Sequence, residues 1–249
     1  MSSRRRARRA IVAAALAALA LPPALALAKI PAGVPIARLT TPQKLVALSF
    51  DDGPRAGGEF DTLLALLASR HAHATFFVIG QELAAHPELA RRLLDAGHEI
   101  GNHTWTHPHL DSISIDSVRI EIARTDSLLR ALGVRGRILV RPPYGETDER
   151  VLAELKRRHR VVTLFDVDPS YDFPTLTSAD SVVAKTVNWL GPGSILVMHP
   201  WYETPDTTLA MVPQIVDWLE RLGYRITTVS ELLKTKHAVP EVSLYHRPE

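Results

Sequence analysis

Short apolar runs rich in β-branched and aromatic residues alternate with longer stretches of helical period along most of the chain. The runs predict strands at Leu45–Phe50, Ala74–Ile79, Glu99–Asn102, Ile138–Arg141, Val161–Phe165, Ser194–Met198 and Arg225–Thr228. The stretches between them predict helices at Phe60–Ser69, Pro87–Ala96, Ile115–Leu132, Asp148–Arg158, Ala179–Leu190 and Leu209–Leu222. Gly97, Gly133 and Gly223 stand where helix C-caps favour glycine, and Thr147 stands ahead of Asp148 and Glu149 as a candidate N-cap with acids in the first turn. Strand–helix alternation of this kind implies an α/β domain with a mostly parallel sheet buried between helices. Seven strands favour a distorted (β/α) barrel over an open sheet, a choice that periodicity alone leaves open.

Either architecture places ligands at the C-terminal ends of the strands. Polar clusters follow five of the predicted strands: Asp51-Asp52-Gly53-Pro54, His103, Arg141-Pro142-Pro143-Tyr144-Gly145, Asp168 to Phe173, and His199. They converge on one rim.

His103 and His107 are four apart, which suits a metal-ligand pair on a helical turn, although Pro108 makes a tight loop equally compatible. With 11 histidines in the chain, one such pair alone is weak, and an exposed loop is the alternative. Asp-Asp-Gly-Pro is also a good turn sequence. Two adjacent carboxylates at a strand end nevertheless repel unless a cation or an arginine offsets them. One can bind a metal while its neighbour acts as a base toward metal-bound water, and Arg141 can supply the offsetting charge or form an ordinary salt bridge.

Taken together, these motifs resemble those of a family. Ser49-Phe50-Asp51-Asp52-Gly53-Pro54 is similar to the T-F-D-D-G-P signature of the polysaccharide deacetylases, the NodB-homology carbohydrate esterases of family 4. His103-Thr104-Trp105-Thr106-His107 resembles that family's H-S/T-x-x-H, Arg141-Pro142-Pro143-Tyr144 its R-x-P-Y/F, and Ile195 to His199 its apolar strand ending in histidine. The resemblance covers Leu45 to Leu233. It implies a distorted barrel and a divalent metal, zinc or else cobalt or another ion, held by Asp52, His103 and His107. It further implies that Asp51 is the general base, that Arg141 orients it, and that His199 protonates the leaving amine. The metal and the backbone N–H of Tyr144 are expected to stabilise the oxyanion.

The family's D-x-x-D-W motif is altered here to Asp168-Pro169-Ser170-Tyr171-Asp172-Phe173, so Asp172, with Asp168 next, is the expected partner of His199. Pro143, Tyr144, Phe173, Leu196 and Trp201 are the candidate substrate contacts, Trp201 by stacking on a sugar face or else packing in the core. His109 is expected to be a surface residue. The expected activity is removal of N-acetyl groups from a polysaccharide. Ester hydrolysis and non-catalytic glycan binding on the same fold are the alternatives.

The N-terminus changes the electrostatic picture. Five arginines, an Ala/Leu run from Ile11 to Leu21 and Ala26-Leu27-Ala28 form a signal-peptide pattern over residues 1–28, with an uncleaved anchor as the alternative. The sequence has 29 Lys+Arg and 27 Asp+Glu, but without those five arginines 24 basic residues face 27 acidic ones. The basic pI near 9.0 therefore belongs to the export signal and implies no nucleic-acid partner. The chain has no cysteine, so neither a disulfide framework nor a lipid attachment is available. The expected organisation is an extended lead-in at 29–42, a catalytic domain at 43–236 and a flexible tail at 237–249. An exported monomer is expected, periplasmic or secreted and free of the membrane after cleavage, with an acetylated glycan as its partner.

Overall fold

Leu45–Asp51 (β3) is buried at all seven residues, as a strand must be when helices or other strands cover both its faces. It pairs in parallel with Thr75–Val78 (β4), Ile195–Met198 (β8) and Arg225–Thr227 (β9). The computed structural model describes residues 30–169, 178–201, 205–235 and 239–241. Glu99–Asn102 (β5), Leu139–Val140 (β6), Val161–Thr163 (β7) and Pro35–Ile36 (β1) continue the sheet in the order β1-β7-β6-β5-β4-β3-β8, with β9 branching from β3. Every pairing in this eight-stranded sheet is parallel. The expected α/β fold is present. An isolated parallel bridge links Val167, four residues beyond β7, to Leu196 of β8.

Side-chain alternation gives the sheet two apolar layers. Leu48, Phe50, Val78, Leu196 and Met198 pack outward against helices, while Ala47, Phe77, Leu139, Val161 and Val197 pack inward. Gly58–Ser69 (α1) buries Phe60, Leu63 and Leu67, one helical stripe whose side chains each stabilise by roughly 1.5–3 kcal/mol as gross transfer. Ile115–Ala131 (α4) is capped by Ser114, which accepts from the Ser117 N–H, and buries Val118, Ile122 and Leu129.

Four helices differ from the sequence expectation. Glu149–Arg157 is capped by Asp148 rather than Thr147, because the Asp148 carboxylate accepts the Val151 N–H at 2.9 Å. Pro205–Arg221 begins a turn before Leu209. Gly80–Ala85 (α2) and Val229–Leu233 are too short to carry a visible period. Arg38–Thr40 (β2), in the expected lead-in, pairs antiparallel with Val239–Glu241 (β10), in the expected tail. Residues 1–28, the expected export signal, lie outside the described residues, as do Asp172 and Phe173. No helix among the described residues is long and apolar enough to cross a membrane.

Candidate active site

Strand register brings the polar clusters level. Asp51 pairs with Phe77, Val78 with Asn102, and Asn102 with Val140. The next residues along, Asp52, His103 and Arg141, therefore emerge side by side at the C-terminal rim.

The two adjacent aspartates do different things. Asp51 Oδ1 accepts a hydrogen bond from Arg141 Nη1 at 2.7 Å, and both side chains are buried. Arg141 also donates to Ser49 Oγ at 2.9 Å and to the carbonyls of Thr163 and Leu164 at 3.3 and 3.0 Å, with its guanidinium 4.1 Å from the centre of the Phe77 ring. The surface salt bridge considered for Arg141 is thus replaced by a fully buried one.

Asp52, in left-handed backbone at φ 70°, turns the other way. Its Oδ1 lies 3.3 Å from His103 Nε2 and 3.2 Å from His107 Nε2. That oxygen is buried and makes no hydrogen bond of acceptable geometry. An orphaned carboxylate oxygen between two imidazole nitrogens is the arrangement a cation satisfies. One donor atom from each of Asp52, His103 and His107 lies within 4.8 Å of the others. His103 Nδ1 is 2.7 Å from the Arg141 carbonyl; donation there leaves Nε2 as the lone-pair nitrogen facing Asp52. The residues fit a divalent metal.

The electrostatics agree. Burial alone raises the Asp52 carboxyl, but the close imidazoles of His103 and His107, together with charge from His103 and His199, outweigh it and hold the group well below the usual carboxylate range. Burial opposes charge on His103, whereas Asp51 and Asp52 favour it and raise its pKa overall. The cluster therefore draws positive charge, from protons or from a metal competing with them.

The stretch from His103 to His107 is a tight loop rather than a helical turn, with Thr104 at φ 70° and His107 at φ 61°. Tyr144 is another left-handed residue, at φ 59° in the 3₁₀ turn Pro143–Gly145. Its half-exposed ring meets His107 edge-on at 4.7 Å and stacks on His109 at 3.9 Å, while Pro143 is buried. His109 is exposed and pairs with Glu146 at 2.8 Å, the surface position expected of it.

On the far side, His199 Nδ1 lies 3.8 Å from Asp168 Oδ1, so Asp168 is the neighbouring carboxylate among the described residues. Two candidate substrate contacts move. Leu196 is fully buried and pairs in register with Leu48, which puts its side chain on the helix-facing side, opposite Asp51. Trp201 is 8 % exposed and packs against Phe60 and Gly53, so it supports the Asp52 turn instead of offering an open face to a sugar.

Sequence reasoning missed Asn102 and Glu121. Asn102 Oδ1 accepts the Thr104 N–H at 2.7 Å, and its amide donates to Asp126 and the Ile122 carbonyl. Glu121 accepts from the backbone N–H groups of both Trp105 and Thr106. A polar residue beside His103 was the available signal for Asn102; Glu121, a turn and a helix away, left none.

A sheet of parallel strands with paired carboxylate and imidazole chemistry at one rim makes a candidate metal-dependent hydrolase site, and the comparisons narrow it. Residues 38–161 match the family model described as polysaccharide deacetylase. The chain is 34% identical over 194 residues to the peptidoglycan-N-acetylmuramic acid deacetylase PdaC of Bacillus subtilis, covering 78% of this chain but 40% of that protein. It is 32% identical over 197 residues to a peptidoglycan-N-acetylglucosamine deacetylase of Bacillus cereus, covering 78% of this chain and 91% of the relative. Among solved structures, the Bc1960 peptidoglycan N-acetylglucosamine deacetylase superposes with a TM-score of 0.76 at 27% identity, over 82% of this chain and 94% of that one. The chain belongs to the polysaccharide deacetylase family.

Proposed function

We propose that this protein hydrolyses N-acetyl groups on an N-acetylglucosamine-type glycan, such as peptidoglycan, a chitooligosaccharide or poly-N-acetylglucosamine, and releases acetate. The observation that carries the reading is the division of labour between Asp51 and Asp52: one carboxylate is locked to a buried arginine, and the other is left unsatisfied between two imidazoles. The names of the relatives support the substrate class.

Asp52, His103 and His107 hold the metal, with zinc the first candidate and cobalt an alternative. When bound, the metal polarises the acetyl carbonyl and makes water a better nucleophile. Asp51 takes the proton from that water, and Arg141 holds the carboxylate in place through its hydrogen bond to Oδ1. The backbone N–H of Tyr144 donates to the developing oxyanion. His199 then gives a proton to the departing amine, with the Asp168 carboxylate 3.8 Å from its Nδ1. Asp172 and Phe173 remain candidates for support of His199 and contact with the acetyl methyl. The protein acts as an exported monomer.

The test is acetate release from peptidoglycan, chitooligosaccharides, poly-N-acetylglucosamine and acetyl xylan, after chelation and metal add-back. Release from at least one N-acetylated glycan, abolished by chelator and restored by zinc or cobalt, supports the proposal. Release from acetyl xylan alone makes the protein an esterase, and release from none of the four makes it a non-catalytic binder.

A further inference from the structure

We infer that Glu121 is a positioning residue that sets the separation of His103 and His107 and thereby the affinity of the cluster for its cation. The inference rests on the metal reading of Asp52, His103 and His107.

Both imidazoles come from a five-residue loop whose Thr104 and His107 adopt left-handed backbone that non-glycine residues avoid. A loop of that kind does not hold its own shape; its neighbours must. Its carbonyls face α2, where the N–H groups of Gly80 and Gln81 donate to Thr104 and Trp105 at 2.9 and 3.1 Å. Its N–H groups face the other way. Asn102 takes Thr104, and the Thr104 hydroxyl takes His107 at 3.1 Å. Glu121 takes the middle: Oε2 accepts the N–H groups of Trp105 and Thr106, both at 2.7 Å, and Oε1 accepts the Thr106 hydroxyl at 2.8 Å.

These are short, charge-assisted bonds from an element that is itself fixed. Glu121 lies on α4, which Val118, Ile122 and Leu129 anchor in the core. The carboxylate thus ties the midpoint between the two histidines to a rigid helix. Glu121 does not belong to the donor cluster, so its influence on the cation runs through the loop.

The position also separates this role from a purely structural one. Thr106 is exposed and Trp105 half-buried, so water can replace the carboxylate when it is removed. The fold then loses little, whereas the loop gains freedom and the two imidazoles lose their spacing.

The experiment is zinc affinity by competition with a chromophoric chelator, on the full chain stripped of metal, together with melting of the metal-free proteins. The variants are Glu121→Ala, Glu121→Asp and Glu121→Gln. Alanine and the shortened aspartate are expected to weaken zinc binding by about 10–100-fold, the scale seen when outer partners of metal ligands are removed. Glutamine should stay within about threefold, because its carbonyl can accept both N–H groups and its amide can donate to the Thr106 hydroxyl. At saturating zinc, Glu121→Ala should recover its kcat with an unchanged KM.

Wild-type zinc affinity in both Glu121→Ala and Glu121→Asp overturns the inference. So does a loss that excess zinc fails to rescue and that glutamine shares. If the alanine variant does not fold, the aspartate variant decides. A wild-type protein that binds no zinc fails at the earlier step, the metal site itself.

Discussion

Replacing Arg141 with methionine removes the cation from the most buried ion pair in the described structure. The guanidinium is fully buried and serves four acceptors: Asp51 Oδ1, Ser49 Oγ and the carbonyls of Thr163 and Leu164. Methionine fills most of the volume but satisfies none of them. Breaking a buried pair by removing one partner costs about 3–5 kcal/mol, chiefly because the remaining charge has nowhere to go. In a chain of this size each kcal/mol moves the melting temperature by about 2–4 °C, so a fall of roughly 6–20 °C is expected. Asp51→Asn in the same background removes the stranded charge. The double variant should therefore be more stable than the sum of the two single effects predicts, by about 1.5–3 kcal/mol. Urea unfolding of the wild type, both single variants and the double variant closes the cycle. A methionine variant within about 1 kcal/mol of wild type, or strict additivity, refutes the view that Arg141 is the buried charge partner of Asp51.

Three further outcomes follow from neighbouring features. Burial, assisted by His73, depresses the pKa of His98 to about 4, so the folded state resists protonating it. The unfolded chain takes up that proton near pH 6.5, and stability should fall by up to about 3 kcal/mol as the pH drops from 6.5 to 4. His98→Asn, which keeps an acceptor for the Ala74 N–H, should flatten that slope in pH-dependent melting; an unchanged slope assigns it elsewhere. Gly53→Ala places a Cβ 2.2 Å from the Trp201 ring, and forcing the ring aside should cost about 1–3 kcal/mol and weaken metal binding through the adjoining Asp52. Wild-type melting and metal content in that variant contradict the packing described here. His199→Ala should cut amide hydrolysis by ~100-fold or more while sparing activated acetyl esters, whose leaving groups need no proton. Equal losses on amide and ester substrates would contradict its role as the acid.

The sheet was legible because parallel strands buried on both faces read as continuous apolar runs, and the rim was legible because five of those runs end in polar clusters. The four motifs carried the site: Asp51 to Pro54, His103 to His107, Arg141 to Tyr144, and His199. What escaped depends on contacts distant in sequence. Arg38–Thr40 and Val239–Glu241 form strands by pairing with each other across about two hundred residues, and neither has a period of its own. Trp201 follows His199 directly, so chain position placed it at the mouth; only packing against Phe60 and Gly53 showed it buried. Nearness to His199 in the sequence does not tell which face Leu196 takes; only its register with Leu48 sets it on the helix-facing side. Glu121 lies 16 residues from Trp105, and the periodicity of its helix gives no hint that one half-buried acid reaches the histidine loop.

The central claim is that two adjacent carboxylates have separate roles, and metal content measured beside acetate release in Asp51→Asn and Asp52→Asn tests it most directly. Asp52→Asn should lose both metal and activity, since its Oδ1 is the unsatisfied oxygen between His103 and His107. Asp51→Asn should keep its metal and lose at least ~100-fold in turnover, with KM far less changed, because proton abstraction is felt in the transition state. Loss of metal from Asp51→Asn with retention in Asp52→Asn would show that the roles are reversed. If both variants keep metal and full activity, Asp51-Asp52 is a turn and nothing more, and the proposed chemistry is wrong.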